Sequence, residues 1–367
     1  MPGANDPEFI PGLELCEGFF QTQVRPILDD HFPGLAYSAA LIGKGSEVLG
    51  FDTEMSRDHD WGPRAMLFLN PGDWRRYQQA VFDTLQQKLP ASFRGYPTHF
   101  VLHSSGARFI EHPGSRPLNP RIDILSLPAY FMDSLGYDIS TGLEPADWLT
   151  FPEQKLLGAT RGAVFHDQAG LQSVRDQLSY YPHDVWLYLL AAAWTRIGQE
   201  EHLLGRAGSV GDEIGSILIA SRLVRDLMRL CFLMEKQYAP YPKWFGSAFL
   251  QLGCAHEVAP RLHQVLTAEG WQERQQAFAL ASEPVIAMHN QLDLTSPFNT
   301  QPAYFHDRPF LVIDGGRIAA AIIAEIHDPD VSRISAHRVI GSIDEFSDNT
   351  DLLCDTRLRP NLRKLFT

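Results

Sequence analysis

Residues 41–60, Leu41-Ile-Gly-Lys-Gly-Ser-Glu-Val-Leu-Gly-Phe-Asp-Thr-Glu-Met-Ser-Arg-Asp-His-Asp60, constrain the architecture more than any other stretch of the chain. The apolar run Tyr37–Ile42 reads as a strand, broken by Gly43-Lys44-Gly45-Ser46. A polar loop runs on to Arg57, and Asp58–Asn70 is expected to contain the next strand, closed by Asn70-Pro71-Gly72. On a strand, alternate side chains share a face, so Asp58 and Asp60 are expected on one side and His59 on the other. Two carboxylates that close repel each other unless a cation lies between them. Hard oxygen ligands of this kind suit Mg²⁺ or Mn²⁺, shared with substrate phosphates. Gly45 lets the backbone come close to a phosphate, and the Ser46 hydroxyl and nearby N–H groups donate to it. Asp52 and Glu54, in the loop between, read as solvated.

Outward from this stretch, a helix is expected over residues 8–32, from apolar positions such as Leu13, Cys16, Phe20 and Val24, and another over 73–88. Strands are expected at 98–103, 107–111 and 121–126. In Arg121-Ile-Asp-Ile-Leu125, alternation sends Ile122 and Ile124 to a core and Asp123 to the opposite face with Arg121. Mixed strands and helices make the first 150 residues an α+β or α/β region. After residue 150 the pattern becomes helical, with expected helices at 184–204, 213–237, 243–252, 257–268 and 272–292, which together form a bundle. Residues 308–327 read as a strand, a Gly-Gly turn and an Ala/Ile-rich helix, and the tail after 340 has no clear element.

The chain has 367 residues, with 31 Lys and Arg against 44 Asp and Glu, a net charge of −13. That balance makes broad nucleic-acid or anionic-membrane binding a poor expectation. No run approaches the roughly 18 apolar residues of a membrane span, and the start has no signal-peptide pattern, so a cytoplasmic location is expected. Four scattered cysteines fit reduced thiols. GxSxG, Walker, GxGxxG and HExxH patterns do not occur, which argues against a hydrolase elbow, a P-loop, a dinucleotide fold and a zincin site.

Gly45-Ser46 followed by Asp58-His-Asp60 resembles the nucleotidyltransferase superfamily of polymerase-beta-like and kanamycin-nucleotidyltransferase-like proteins. The longer pattern Gly-Ser-Glu-x-Leu-Gly-Phe-Asp at 45–52 and Ser-Arg-Asp-His-Asp-Trp-Gly at 56–62, with the later Pro240-Tyr-Pro-Lys-Trp-Phe-Gly246, is similar to an uncharacterised bacterial nucleotidyltransferase-like family. The resemblance implies an α+β fold: a nucleotidyltransferase-type mixed-sheet catalytic domain at 1–150, a helical bundle domain at 151–300 and a C-terminal α/β segment at 301–367, with the site in the cleft between the first two. It implies attack on the α-phosphorus of a nucleoside triphosphate, ATP by default, by a small-molecule hydroxyl, with pyrophosphate leaving. Asp58 and Asp60, with Asp123 as the third carboxylate, would hold the metal.

Gly45, Ser46, Lys44 and Arg57 are the nearby candidates for the triphosphate, and Arg64 is open to the same role or to pairing with a local carboxylate. In the helical half, Glu200 or Glu201 is a candidate general base. Lys243, set among Tyr241 and Trp244, is a candidate phosphate contact. Arg222, Arg225 and Arg229 share a helix face and would either line a nucleotide channel or form a salt-bridged surface. A metal-dependent phosphohydrolase and a nucleotide-binding regulator without turnover are the alternatives.

Overall fold

The computed structural model describes residues 7–104, 106–114 and 117–367. The chain divides into two compact units: residues 1–142 with 155–179, and residues 143–154 with 180–367. The first unit therefore takes in more of the chain than the expected 1–150, and residues 301–367 belong with the helical unit.

The first unit holds a four-stranded mixed sheet. Its strands are β1 (Tyr37–Leu41), β2 (Arg64–Leu69), β7 (Arg121–Ser126) and β8 (Ala163–Asp167), in the order β7-β2-β1-β8. β1 runs antiparallel to β2 and β8, while β2 and β7 are parallel. A parallel pair needs a long crossover. Here it contains α4 (Pro71–Lys88), the short paired strands β3 (Ser92–Phe93) and β4 (Tyr96–Pro97), and the hairpin of β5 (His99–Leu102) with β6 (Arg108–Glu111). One sheet face carries Ala39, Leu41, Ala65, Leu67, Leu69 and Ile122. These pack on Cys16 and Phe19 from α1 (Gly12–Phe19), Leu28 from α2 (Arg25–His31), and Val81 and Leu85 from α4. Between α1 and α2 lies a π-type turn, Phe20–Val24. Pro26 just beyond it has no N–H to give the preceding turn, which accounts for the wider winding.

The other face carries Met66 and Phe68, with Phe68 meeting Tyr130 of α5 (Leu127–Leu135) at 5.2 Å between ring centroids. Because both faces are covered, β1 and β2 are buried throughout and read as continuous apolar runs rather than alternating ones. The register sets Arg64 beside Arg121 and Met66 beside Asp123, so Ile122 joins the core face and Asp123 the opposite one. A four-residue helix, α3 (Ser46–Leu49), follows the Gly43–Gly45 turn, and α8 (Leu171–Gln177) follows β8.

The second unit is helical. α6 (Pro145–Trp148) precedes α7 (Glu153–Thr160), which runs across the boundary between the units. The long antiparallel partners are α9 (His183–Ser209) and α10 (Glu213–Met234), joined by α11 (Pro242–Phe249), α12 (Ala255–Thr267) and α13 (Trp271–Gln291). The expected strand near 310 is reduced to β10 (Leu311–Val312), paired with β9 (Ala303–Tyr304). The Gly315-Gly316 segment does not make a turn but opens α14 (Gly315–Ala324), followed by α15 (Pro329–His337). Glu201 of α9 is buried and accepts hydrogen bonds from the N–H groups of Ile313 and Gly315 (3.2 Å), which fixes the start of α14. Burial pushes its pKa up to about 7.

The tail after 340 is held by charge. Arg229 is buried between Glu153 (3.1 Å) and Glu345 (2.9 Å), and Asp344 accepts the Glu153 N–H at 2.9 Å. Arg196 binds Asp226 (2.9 Å) and the Glu345 carbonyl (2.9 Å). Among the described residues no helix is long and apolar enough to cross a membrane.

Candidate functional site

The site is built where β1 hands over to α3 and where β2 and β7 begin. Gly43 N–H donates to the Gly158 carbonyl at 2.7 Å, which seats the turn on α7. Gly45 has φ +135°, and a Cβ there would come within 2.6 Å of a Glu47 carboxylate oxygen, so only glycine leaves room for Glu47 to fold back under the turn. Glu47 meets Arg64, which opens β2. Arg64 Nε donates to Glu47 Oε1 at 3.1 Å, Nη2 reaches the same oxygen, and Nη2 also donates to the Lys44 carbonyl at 3.1 Å. The pair is buried, with side chains 7% and 3% exposed. Arg64 is thus a strut between the sheet and the Gly-Ser turn. Lys44 and Ser46 stand on that turn, Lys44 exposed and Ser46 half-buried.

Asp58 and Asp60 do not lie on a strand. Asp58 ends a 3₁₀ turn, Glu54–Asp58, and Asp60 sits in the left-handed region at φ +53°. The strand begins only at Arg64, because Gly62-Pro63 breaks extended pairing ahead of it and Arg64 is the first residue with a partner on β7. The shared strand face expected for Asp58 and Asp60 is therefore absent. Asp58 turns to solvent, with its carboxylate 3.0 Å from His59 Nδ1. The Asp60 N–H donates to the Arg108 carbonyl at 2.7 Å, which ties this loop to β6.

The other charges interleave. Arg121 Nη1 reaches Asp60 Oδ1 at 2.6 Å, and Arg108 Nη1 lies 3.6 Å from Asp123 Oδ1. Asp60, Asp123 and Arg108 are 43%, 38% and 42% exposed, whereas Arg121 is largely covered. Arg121 Nε is buried with no hydrogen-bond partner. Burial, followed by the positive charge of Arg64, lowers the Arg121 pKa. Three guanidiniums and three carboxylates are therefore paired around the start of β2 and β7. Oxygen donors of this type suit a divalent cation. As arranged, however, they do not fit one: among the described residues no three His, Cys, Asp or Glu side chains converge, and Asp60 and Asp123 each face an arginine.

The remaining motif residues serve the scaffold. Asp52 is not a solvated loop residue: its Oδ2 accepts the Gly12 N–H at 2.7 Å and the Trp61 indole N–H at 3.1 Å. Gly62 has φ +135°, and a Cβ there would sit 2.8 Å from Ile110 Cγ2. Arg57 donates to the carbonyls of Glu54 (3.2 Å) and Pro7 (3.2 Å). Glu200 and Lys243 belong to the second unit. Glu200 is paired with Arg222, and the Lys243 ammonium stands 4.9 Å above the Trp244 ring. Arg222 and Arg229 are thus both engaged in ion pairs within the helical unit. The sequence gives a signal for Arg121 through its alternation with Asp123. It gives none for Arg108, and for Arg64 it offers pairing with a local carboxylate without singling out Glu47, which the fold supplies.

Residues 148–245 match the model of a family described as "Domain of unknown function (DUF4037)". A search of curated proteins finds no match. Among solved structures, a nucleotidyltransferase-like protein from Exiguobacterium sibiricum 255-15 aligns over 78% of this chain and 83% of that chain, with 9% identity and a TM-score of 0.31, too low to bear on fold or reaction. The architecture is α+β, a mixed sheet unit and a helical unit, on the evidence of its own strands and helices.

Proposed function

We propose that the first unit is the catalytic part of a nucleotidyltransferase, moving a nucleoside monophosphate onto the hydroxyl of a small acceptor and releasing pyrophosphate. The observation that carries this reading is the single cluster formed by the Gly43–Ser46 turn, Arg64, Arg108, Arg121, Asp60 and Asp123. A polyphosphate needs backbone donors and forked cations, and both stand here side by side. The acceptor oxygen would bond to the α-phosphorus as the bridging oxygen to the β-phosphorus leaves with its electron pair, and the hydroxyl proton would pass to a carboxylate. Arg121 and Arg108 would orient the phosphates, and Lys44 would lie over them. ATP is the simplest donor.

The test is pyrophosphate release by wild type and Asp60→Asn, with each of the four common nucleoside triphosphates, Mg²⁺ or Mn²⁺, and a pool of cell metabolites. Release by wild type alone, with a new nucleotidylated mass, supports the proposal. Phosphate without pyrophosphate indicates a phosphohydrolase. One observation favours a regulator without turnover: Asp60 and Asp123 are already neutralised by arginines. Triphosphate binding with no product from any acceptor pool would favour it. Glu200→Gln and Lys243→Ala, assayed alongside, report whether these two groups take part.

A further inference from the structure

We propose that Cys231 and Cys254 are a redox pair: hydrogen peroxide closes them to an intramolecular disulfide that ties the start of α12 to α10, and a thiol reductant reopens it. Both are free thiols in the structure, so the reduced form is the one described above. The inference is independent of the nucleotidyl-transfer reading.

The pair is made by the fold. Cys231 lies on α10 and is fully buried, while Cys254 is half-buried and caps the start of α12. The Cys231 thiol donates a hydrogen bond to the Cys254 sulfur, so the two side chains already touch. The backbone on both sides is held in place. Glu235, one helical turn beyond Cys231, donates its N–H to the Cys231 carbonyl at 3.0 Å. Its carboxylate accepts the Gly253 and Cys254 N–H groups, each at 2.8 Å. One residue therefore ties Cys254 to the turn of α10 that carries Cys231. The segment between them is also seated: Phe232 meets Phe245 and Phe249 of α11 at 5.4 and 6.4 Å between ring centroids. A disulfide here would add a bond between groups in contact, around a loop that is already folded onto α10. That loop contains α11 with Lys243. The other cysteines are placed differently: Cys16 donates to the Gly62 carbonyl at 3.3 Å in the first unit, and Cys354 is exposed on the tail.

Exposure assigns the order of reaction. Cys254 is the thiol that solvent reaches, and its thiolate attacks peroxide first. Its sulfur bonds to one oxygen, the O–O bond breaks, and the departing hydroxide takes up the thiol proton as water, leaving a sulfenic acid. The Cys231 sulfur then attacks the sulfenic sulfur. The S–O bond breaks, and the departing hydroxide takes the Cys231 proton as a second water. Two thiols lose two electrons and one peroxide becomes two waters. The hydrogen bond to Cys254, and then burial, hold the Cys231 thiol well above its ordinary pKa, which suits the second thiol to react and not the first.

The test oxidises the whole chain with hydrogen peroxide, then applies thiol alkylation, peptide mapping and calorimetry. Wild type is expected to lose two alkylatable thiols and about 2 Da, and to yield a linked Cys231–Cys254 peptide. The transition of the helical unit should rise by about 5–10 °C, and dithiothreitol should reverse every change. Cys254→Ser, at a half-buried position, should show neither link nor rise, and Cys354→Ser should keep both. Cys231→Ala should stop at a Cys254 sulfenic acid that dimedone traps; circular dichroism checks its fold, and Cys254→Ser carries the test if it is unfolded. Oxidation of Cys254 to sulfinic acid with Cys231 still alkylatable, links through Cys354 in place of this pair, or no oxidation at all would overturn the proposal. A Cys231–Cys254 link that leaves the transition where it was would overturn the tie between α10 and α12.

Discussion

Replacing Arg64 with methionine is expected to destabilise the first unit by about 3–5 kcal/mol, the cost of leaving a buried charge without its partner. The structure supplies the reason. Glu47 and Arg64 are 3% and 7% exposed, so neither charge has water to fall back on, and Arg64 also satisfies the Lys44 carbonyl. Methionine keeps much of the apolar stem, which separates loss of charge from loss of packing. At about 2–4 °C per kcal/mol for a unit of this size, the calorimetric transition of that unit should fall by roughly 6–20 °C. Glu47→Leu alone should cost a similar amount, because it strands the guanidinium. The double variant Arg64→Met/Glu47→Leu should return to within about 1 kcal/mol of wild type, since an apolar pair of similar volume replaces the ions. A single-variant cost below about 1 kcal/mol, or costs that simply add in the double variant, would refute the strut. Arg64 would then be free to act as a phosphate ligand.

Gly62→Ala should cost at least about 1–3 kcal/mol, because φ +135° and a 2.8 Å approach to Ile110 Cγ2 leave no room for a methyl; urea unfolding measures it. Asp52→Ala removes the acceptor of the Gly12 and Trp61 N–H groups and should cost about 1–3 kcal/mol, with faster amide exchange at Gly12. Glu201 has its pKa raised from 4.5 to about 7 by burial, so the folded state holds its proton to higher pH than the unfolded chain. Its contribution to stability is full below about pH 4.5 and is lost as pH rises through 7. Glu201→Gln should flatten that slope in thermal melts taken from pH 4.5 to 8, and an unchanged slope would contradict it.

The long elements were legible because they carry strong local patterns. Tyr37–Leu41 and Arg64–Leu69 are apolar runs bounded by breakers, and α9 and α10 are long stretches with few helix breakers. The face of Asp123 was legible as well, since Ile122 and Ile124 alternate around it. The setting of Asp58 and Asp60 was not. An Asp-x-Asp triplet looks the same in a turn as on a strand, and what starts β2 is the availability of β7, a tertiary event. Gly62-Pro63 was the local sign that the strand begins later. Arg108 and the Glu47–Arg64 pair lie beyond any pattern of spacing, because hairpin docking and burial bring their partners together. After residue 300 the strand and the Ala/Ile-rich helix were legible, but the start of that helix at Gly315 and the tail after 340 were not, because Glu201 and Arg229, side chains far back in the chain, hold them.

The central claim is that the Arg/Asp cluster where β2 and β7 begin receives a nucleoside triphosphate. Equilibrium binding of α,β-methylene-ATP to wild type, Arg108→Gln and Arg121→Gln tests it without knowledge of the acceptor. The account predicts saturable binding by wild type and a loss of about tenfold or more in each variant, the scale of one charged contact. Equal binding by all three proteins, or no binding by wild type, would contradict it.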